Sequence, residues 1–257
     1  MAKADSKEIA ILPMAIVSAL TRLTHSMGAT GAISIAPHLP DAPPLNPDKQ
    51  LQPLAKVADI PLVIVAGANA GFSTLQALIA KARETDVPVG NSGQYTAHHL
   101  SGELLASTAR ARLTSVPYRG SAPAVTDILG GQVPAAIVDL TSVAPHLKSG
   151  AARALAVTSG TRTRLAPEIP TVAEAGVPGF EVSTWWGVLA PARTPPTVVE
   201  RLNRVIQDAA ASEMIQGRLA REGAEPLQTT PAAFGKVLAQ ELESWRSIAA
   251  SAQLSSH

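Results

Sequence analysis

The fold turns on IPLVIVAGANAGFSTLQALIA, residues 60–80, a run with no Asp, Glu, Lys or Arg. Its length alone would let a helix cross a bilayer. Its interior argues otherwise, because Pro61, Gly67, Asn69, Gly71, Ser73, Thr74 and Gln76 break the apolar character where a spanning helix would sustain it. Pro61 to Ala66 reads instead as a β-branched strand, followed by a Gly-loosened turn and a capped helix. Ser73, with Gln76 three residues on, is the predicted capping box, and Leu75, Leu78 and Ile79 are the predicted buried stripe.

The same alternation continues outward. Strands are predicted near Val87–Gly90, Leu113–Val116, Ala135–Val138 and Arg153–Thr158. The helices between them run from about Ala97 to Thr108, from Ser121 to a stop at Gly130-Gly131, and up to Gly150. Such alternation is the pattern of an α/β architecture with parallel pairing. A strand-like run at 182–190 is ended by Pro191. Three helices follow, marked by Val198, Leu202, Val205 and Ile206, then Ile215 and Leu219, then Phe234, Leu238, Leu242, Trp245 and Ile248.

Composition bounds the function. The 257 residues carry 21 basic and 20 acidic side chains, with three Trp, two Tyr and three Phe. This supplies neither the basic footprint nor the stacking surfaces of a nucleic-acid binder. The absence of cysteine removes disulfides, thiolate nucleophiles and thiolate zinc sites together. At the N-terminus, Lys3 and Lys7 precede an apolar run from Ile9 to Leu20, loosely imitating a secretion signal. Asp5 and Glu8 dilute its positive region, and Arg22 and His25 stand where small neutral residues are expected. An ordinary amphipathic or irregular start is the preferred reading.

Chemistry is expected at the carboxyl ends of the strands. Three of these ends are polar: Gly90-Asn91-Ser92-Gly93-Gln94-Tyr95-Thr96, Pro117-Tyr118-Arg119-Gly120-Ser121 and Asp139-Leu140-Thr141-Ser142, each leading into a helix. Hydroxyls, loosened backbone and helix N-termini together suit an anion such as a carboxylate. The plainer alternative is that the hydroxyls only cap helices. Arg119 is either a bidentate clamp on a carboxylate or one half of a surface ion pair. Asp139 either accepts from a ligand or caps the next turn. His98 and His99, being adjacent, point different ways on a helix and read as structural rather than as a metal pair. Of Trp185 and Trp186, alternation places one in the core and leaves the other to wall a pocket. No phosphate loop and no Gly-x-Gly pair occurs. The segment around Ser92 is an imperfect nucleophile elbow, lacking the second glycine.

Taken in order, several segments resemble the periplasmic solute receptors of tripartite tricarboxylate transporters, the Bug family. These are MGATGAISIAPHL from Met27, LQPLAKVADIPLVIV from Leu51, GNSGQYTAHHLSGELL from Gly90, VPYRGSAPAVTDILGGQV from Val116, VDLTSVAPHLKSG from Val138, ARALAVTSGTRTRLAPEIPTVAEAGVPGFE from Ala152, STWWGVLAPARTPPTVVERLN from Ser183 and the C-terminal REGAEPLQTTPAAFGKVL. The resemblance implies a two-lobed, type II periplasmic-binding-protein fold with mixed, mostly parallel sheets. Lobe one would be residues 1–86 and 183–257 and lobe two residues 87–182, with hinge crossings near 87 and 183. It implies a monomer that closes on a small organic carboxylate or acidic amino acid and hands it to membrane transporter subunits, in the periplasm, without cofactor, metal or catalysis. The implied ligand set is Thr30 in the GATG loop, Asn91, Ser92, Gly93, Thr96, Tyr118, Arg119, Ser121, Asp139, Ser142 and Trp185. Family members begin with a secretion signal, a first strand with a Gly-rich loop, a helix and a second strand, none of which is recognisable in residues 1–26. The first lobe therefore reads as incomplete. The alternatives are a truncated homologue with lost or altered binding and, more remotely, a serine hydrolase using Ser92 with a nearby His.

Overall fold

A computed structural model describes residues 26–39 and 45–251. The reading of the N-terminal segment, Lys3 through His25, lies outside the described residues. The chain divides into two compact units: residues up to Ala58 with Trp185–Gln216 and Leu227 onward, and Asp59–Thr184 with Gly217–Pro226.

The second unit begins from the segment that opened the sequence. Leu62–Gly67 is strand β3, buried throughout, so its apolar run fills the middle of a sheet rather than a bilayer. Among the described residues no helix is long and apolar enough to cross a membrane. Helix α1, Leu75–Glu84, buries Leu75, Leu78, Ile79 and Ala82. Its cap is Thr74 rather than Ser73: the Thr74 backbone is extended and its hydroxyl accepts from the Ala77 N–H. Ser73 stands one residue too early for that bond.

The alternation then runs β4 (Val87–Asn91), α2 (Ala97–Ala109), β5 (Leu113–Pro117), α3 (Ser121–Leu129), β6 (Ala135–Asp139), α4 (Leu140–Lys148) and β7 (Ala152–Val157). The strands lie in the order β5-β4-β6-β3-β7. Pairing is mixed. β4 runs parallel to β5 and to β6, whereas β3 runs antiparallel to β6 and to β7, with a register shift between Ile64 and Val65. Parallel pairing is thus concentrated around β4, and the carboxyl ends of β5, β4 and β6 share one edge. Val63, Val65, Val125, Ile128, Ala136, Val138 and Val143 are the centre of the core. Burying this much branched aliphatic surface contributes roughly 25 cal/mol per Å² removed from water.

The expected boundary near residue 87 is corrected by this sheet. β3 pairs with β6 and β7, so residues 62–67 belong to the same unit as the strands that follow. The division falls between Ala58 and Asp59 instead. A local apolar run does not say which sheet will receive it.

In the first unit, β1 (Ser26–Ala29) pairs antiparallel with β8 (Thr184–Pro191), Gly28 facing Gly187. β2, Leu51–Ile60, lies on the other side of β8. This strand escapes the sequence pattern because Pro53, Lys56 and Asp59 interrupt its alternation. Gly187 is required by packing: a Cβ there would meet the Phe234 ring at 2.5 Å. Three helices follow, α5 (Pro196–Ala211), α6 (Glu213–Arg221) and α7 (Pro231–Ser251). On α7 the predicted face Phe234, Leu238, Leu242, Trp245 and Ile248 is buried. On α5 the predicted stripe is rotated: Val198 and Val205 are exposed, and Val199, Asn203 and Ala210 are buried. Asn203 explains the rotation, since its amide donates to the carbonyls of Leu54 and Thr229, which turns a polar residue inward.

Candidate functional site

The site residues of the second unit meet at the edge where β4, β5 and β6 end. Asn91 closes β4, buried, and its side chain links the neighbouring strand to the loop: Nδ2 donates to Ser115 Oγ at 2.8 Å and Oδ1 accepts from the Gly93 N–H at 3.0 Å. Gly93 has φ +139°, a conformation disfavoured for other residues. Thr96 caps α2, accepting from the His99 N–H and donating to the Gly93 carbonyl. Asn91, Gly93 and Thr96 thereby hold the loop that presents Ser92.

Ser92 Oγ lies 2.6 Å from His98 Nδ1, and His98 Nε2 lies 3.0 Å from Asp139 Oδ1. The other Asp139 oxygen accepts from Ser121 Oγ at 2.8 Å, and Ser121 Oγ in turn accepts from the Asp139 N–H. One chain of contacts therefore runs Ser92, His98, Asp139, Ser121 and ties the ends of β4 and β6 to the start of α3. Asp139 occupies the N-cap position of α4, yet its side chain makes no capping bond. The capping alternative for Asp139 is thereby answered: its carboxylate is turned toward His98 and Ser121. Burial pushes the Asp139 carboxyl upward, but the hydrogen bond and charge of His98, the Ser121 hydroxyl and its own backbone N–H outweigh that, and its pKa falls below the usual value.

His98 reads as structural from sequence alone, yet it joins Ser92 to Asp139. The signal for it was a spacing, six residues after Ser92 and on the first turn of α2, but Asp139 lies 41 residues away and only the sheet brings it close. His99 takes the more structural role, accepting from the Tyr95 N–H and approaching Glu103 at 3.5 Å. Behind His98 a cavity of about 10 Å³ is lined by Asn91, His99, Glu103 and Ser115 among others, room for about one water molecule.

Three helix N-termini open at this edge. Thr96 caps α2, whereas α3, with Gly120 at its N-cap (φ +107°), and α4 have no side-chain cap. Their first-turn N–H groups and dipole ends favour an anion. Arg119 is exposed beside Gly120 and forms no ion pair among the described residues. Ser142 is half-buried in the first turn of α4. Tyr118 is committed elsewhere: its hydroxyl donates to Asp127 at 2.7 Å, and burial together with that carboxylate pushes its pKa up to about 12.

The two candidates in the first unit do not present themselves to a ligand. Trp185 is the core member of its pair, 0% exposed, edge-on to Phe234, with Nε1 donating to Glu241 at 2.6 Å. Thr30, 2% exposed, accepts the Trp185 backbone N–H at 2.8 Å. Alternation holds at Trp185 and Trp186, buried and half-buried, but which of them faces inward depends on Phe234 arriving from α7. Among the described residues no group of three or more His, Cys, Asp or Glu is placed to hold a metal.

Comparison with known proteins agrees with this architecture. The family described as the tripartite tricarboxylate transporter family receptor matches residues 10–254. BugT of Bordetella pertussis is 36% identical over 230 residues, covering 89% of this chain and 70% of that protein. Among solved structures, R. palustris Rpa4515 with adipate is similar at TM-score 0.74 and 30% identity, over 94% of this chain and 83% of that one. MatC (Rpa3494) from Rhodopseudomonas palustris with bound malate is similar at TM-score 0.72 and 26% identity, over 92% and 84%. The chain spans 58–70% of the length of three curated relatives, BugT included. With strand order, polar strand ends and a match along nearly all its length, the chain belongs to the tripartite tricarboxylate transporter receptor family.

Proposed function

We propose that this chain is a periplasmic solute receptor that captures a small organic carboxylate and delivers it to the membrane subunits of a tripartite tricarboxylate transporter, acting as a monomer and without catalysis. The observation that carries this reading is the shared edge of β5, β4 and β6, where the N-termini of α3 and α4, which lack side-chain caps, open beside the exposed Arg119, which forms no ion pair among the described residues. Ser92, Arg119 and Ser142 offer the direct contacts, and Asn91, Gly93, Thr96, Ser121 and Asp139 hold them in place. Adipate and malate in the similar structures are both dicarboxylates, which supports that class. Acidic amino acids carry the same carboxylate and remain in the proposed range.

The test is a thermal-shift panel of succinate, malate, adipate, aspartate and glutamate on folded protein shown to be ligand-free. A ligand at about 100 times its Kd stabilises by about 2.7 kcal/mol, a clear rise in Tm. A flat response to every carboxylate would overturn the receptor reading.

One observation favours a second reading. Ser92, His98 and Asp139 are in the nucleophile, base and orienting-acid relation that hydrolases use. Turnover of a p-nitrophenyl ester that disappears in Ser92→Ala would support hydrolysis. No turnover, or turnover unchanged in that variant, would dismiss it.

A further inference from the structure

Resting on the carboxylate reading, we propose that His98 is a positioning residue that sets the direction of the Ser92 hydroxyl, so that a carboxylate bound at Ser92 takes up one proton.

An ionised Asp139 only accepts, so the 3.0 Å contact requires a proton on His98 Nε2 whether the ring is neutral or charged. Nδ1 is then the variable atom. In the neutral ring it is a lone pair, and the 2.6 Å contact exists only if Ser92 donates its hydroxyl proton to it. Ser92 then shows a lone pair to any incoming carboxylate oxygen. In the charged ring Nδ1–H donates to Ser92 Oγ, and the hydroxyl proton is released. Its other acceptor nearby, Thr96 Oγ1, is 3.4 Å away, long for an O–H···O bond, and already donates to the Gly93 carbonyl. An external carboxylate is the better acceptor. Charge acts in the same direction: with neutral His98 the Asp139 carboxylate faces the ligand uncompensated, and with charged His98 it is balanced.

The ionisable surroundings are few. Helix α2 packs on β4, β5 and β6. β4 and β5 carry no ionisable side chain, β6 supplies Asp139, and α2 itself supplies His99 and Glu103, which face each other at 3.5 Å. Histidine is the side chain whose charge ordinarily changes between pH 5 and 8. Linkage is reciprocal, so a ligand that prefers charged His98 binds more weakly as pH rises, by at most about tenfold per pH unit for one proton.

The experiment is isothermal titration with succinate, malate and adipate at pH 6, 7 and 8, in two buffers of different ionisation enthalpy, on the wild type, His98→Gln and Ser92→Ala. The expected result is uptake of up to one proton and a Kd that rises with pH, by at most about tenfold per unit. The slope is flattened in His98→Gln and largely lost, with weaker binding at pH 6, in Ser92→Ala. Nitrogen chemical shifts of His98 in the ligand-free protein are expected to show the proton on Nε2 in the neutral form. A purely structural His98 would lower Tm on substitution and leave the slope intact. Binding that is independent of pH, or a slope unchanged in Ser92→Ala, overturns this inference and leaves the carboxylate reading standing. No binding at any pH overturns both.

Discussion

Each unit contains a polar chain built from the same kinds of group, and the two differ in what water can reach. In the first unit, Thr30 accepts from the Trp185 backbone, and Ser34 Oγ and Trp185 Nε1 both donate to one oxygen of Glu241. Ser34 and Trp185 are 0% exposed, among Ile33, Leu189, Phe234 and Leu238. In the second unit, the Asp139 side chain keeps 34% of its exposure and Ser92 is half-buried. Hydroxyl, ring N–H and carboxylate therefore do not mark a binding site by themselves. Those that finish inside a close-packed apolar shell fasten strands to helices, whereas those at strand ends beside uncapped helices keep donors that a ligand can use.

That contrast is most easily broken at Trp185. Trp185→Ala removes a fully buried ring and the indole N–H that it donates to Glu241, and a loss of about 3–5 kcal/mol is expected in chemical denaturation. Carboxylate affinity per folded molecule should be unchanged; a specific loss of affinity at unchanged stability would return Trp185 to the ligand set. Thr30→Val leaves the buried Trp185 N–H without its acceptor, for an expected loss of about 1–3 kcal/mol, again read by denaturation.

Arg119→Ala should behave oppositely. With no ion pair to lose among the described residues, stability should change by less than about 0.5 kcal/mol. Dicarboxylate affinity should fall by about tenfold, the scale of one lost charge-assisted contact. Calorimetric binding with an unchanged Kd would remove Arg119 from the site.

Asp139→Asn has a smaller and pH-dependent effect. The folded carboxyl titrates below the usual 3.8, so its contribution is present above that value and is lost as pH falls through the folded pKa. Wild type should exceed Asp139→Asn by no more than about 1 kcal/mol at pH 7, with the difference closing below about pH 4. Denaturation curves that stay parallel down to pH 2 would contradict this. Tyr118→Phe is the smallest change and has the opposite sign. A phenol held up to about 12 stabilises the fold below its ordinary value near 10 and loses that contribution as pH rises toward 12. The variant should match wild type more closely at pH 11 than at pH 8.

The legibility of each element followed the range of the forces that define it. The strand at 62–67, the face of α7 and the polar strand ends at 91–96, 117–121 and 139–142 depend on period and turn chemistry within a few residues, and they were readable. The buried face of α5 was not, because Asn203 turns inward only when Leu54 and Thr229 present carbonyls to it. Nor was β2, whose Pro53, Lys56 and Asp59 break the alternation of a strand that a neighbour nonetheless completes. Hydroxyls could be placed at the site, but their division into Ser92 facing outward and Ser121 serving Asp139 could not.

Sequence by itself determined the α/β class, the family and the polar strand ends at which carboxylate binding is proposed, because periodicity, helix starts and ordered motifs are local properties of the chain. Tertiary structure alone decided that β3 runs antiparallel inside the second unit, that Trp185 points into the core and that His98 joins Ser92 to Asp139. Each of those outcomes depends on a partner far away in sequence, and no local pattern encodes which distant atoms the packed sheet will bring within 3 Å.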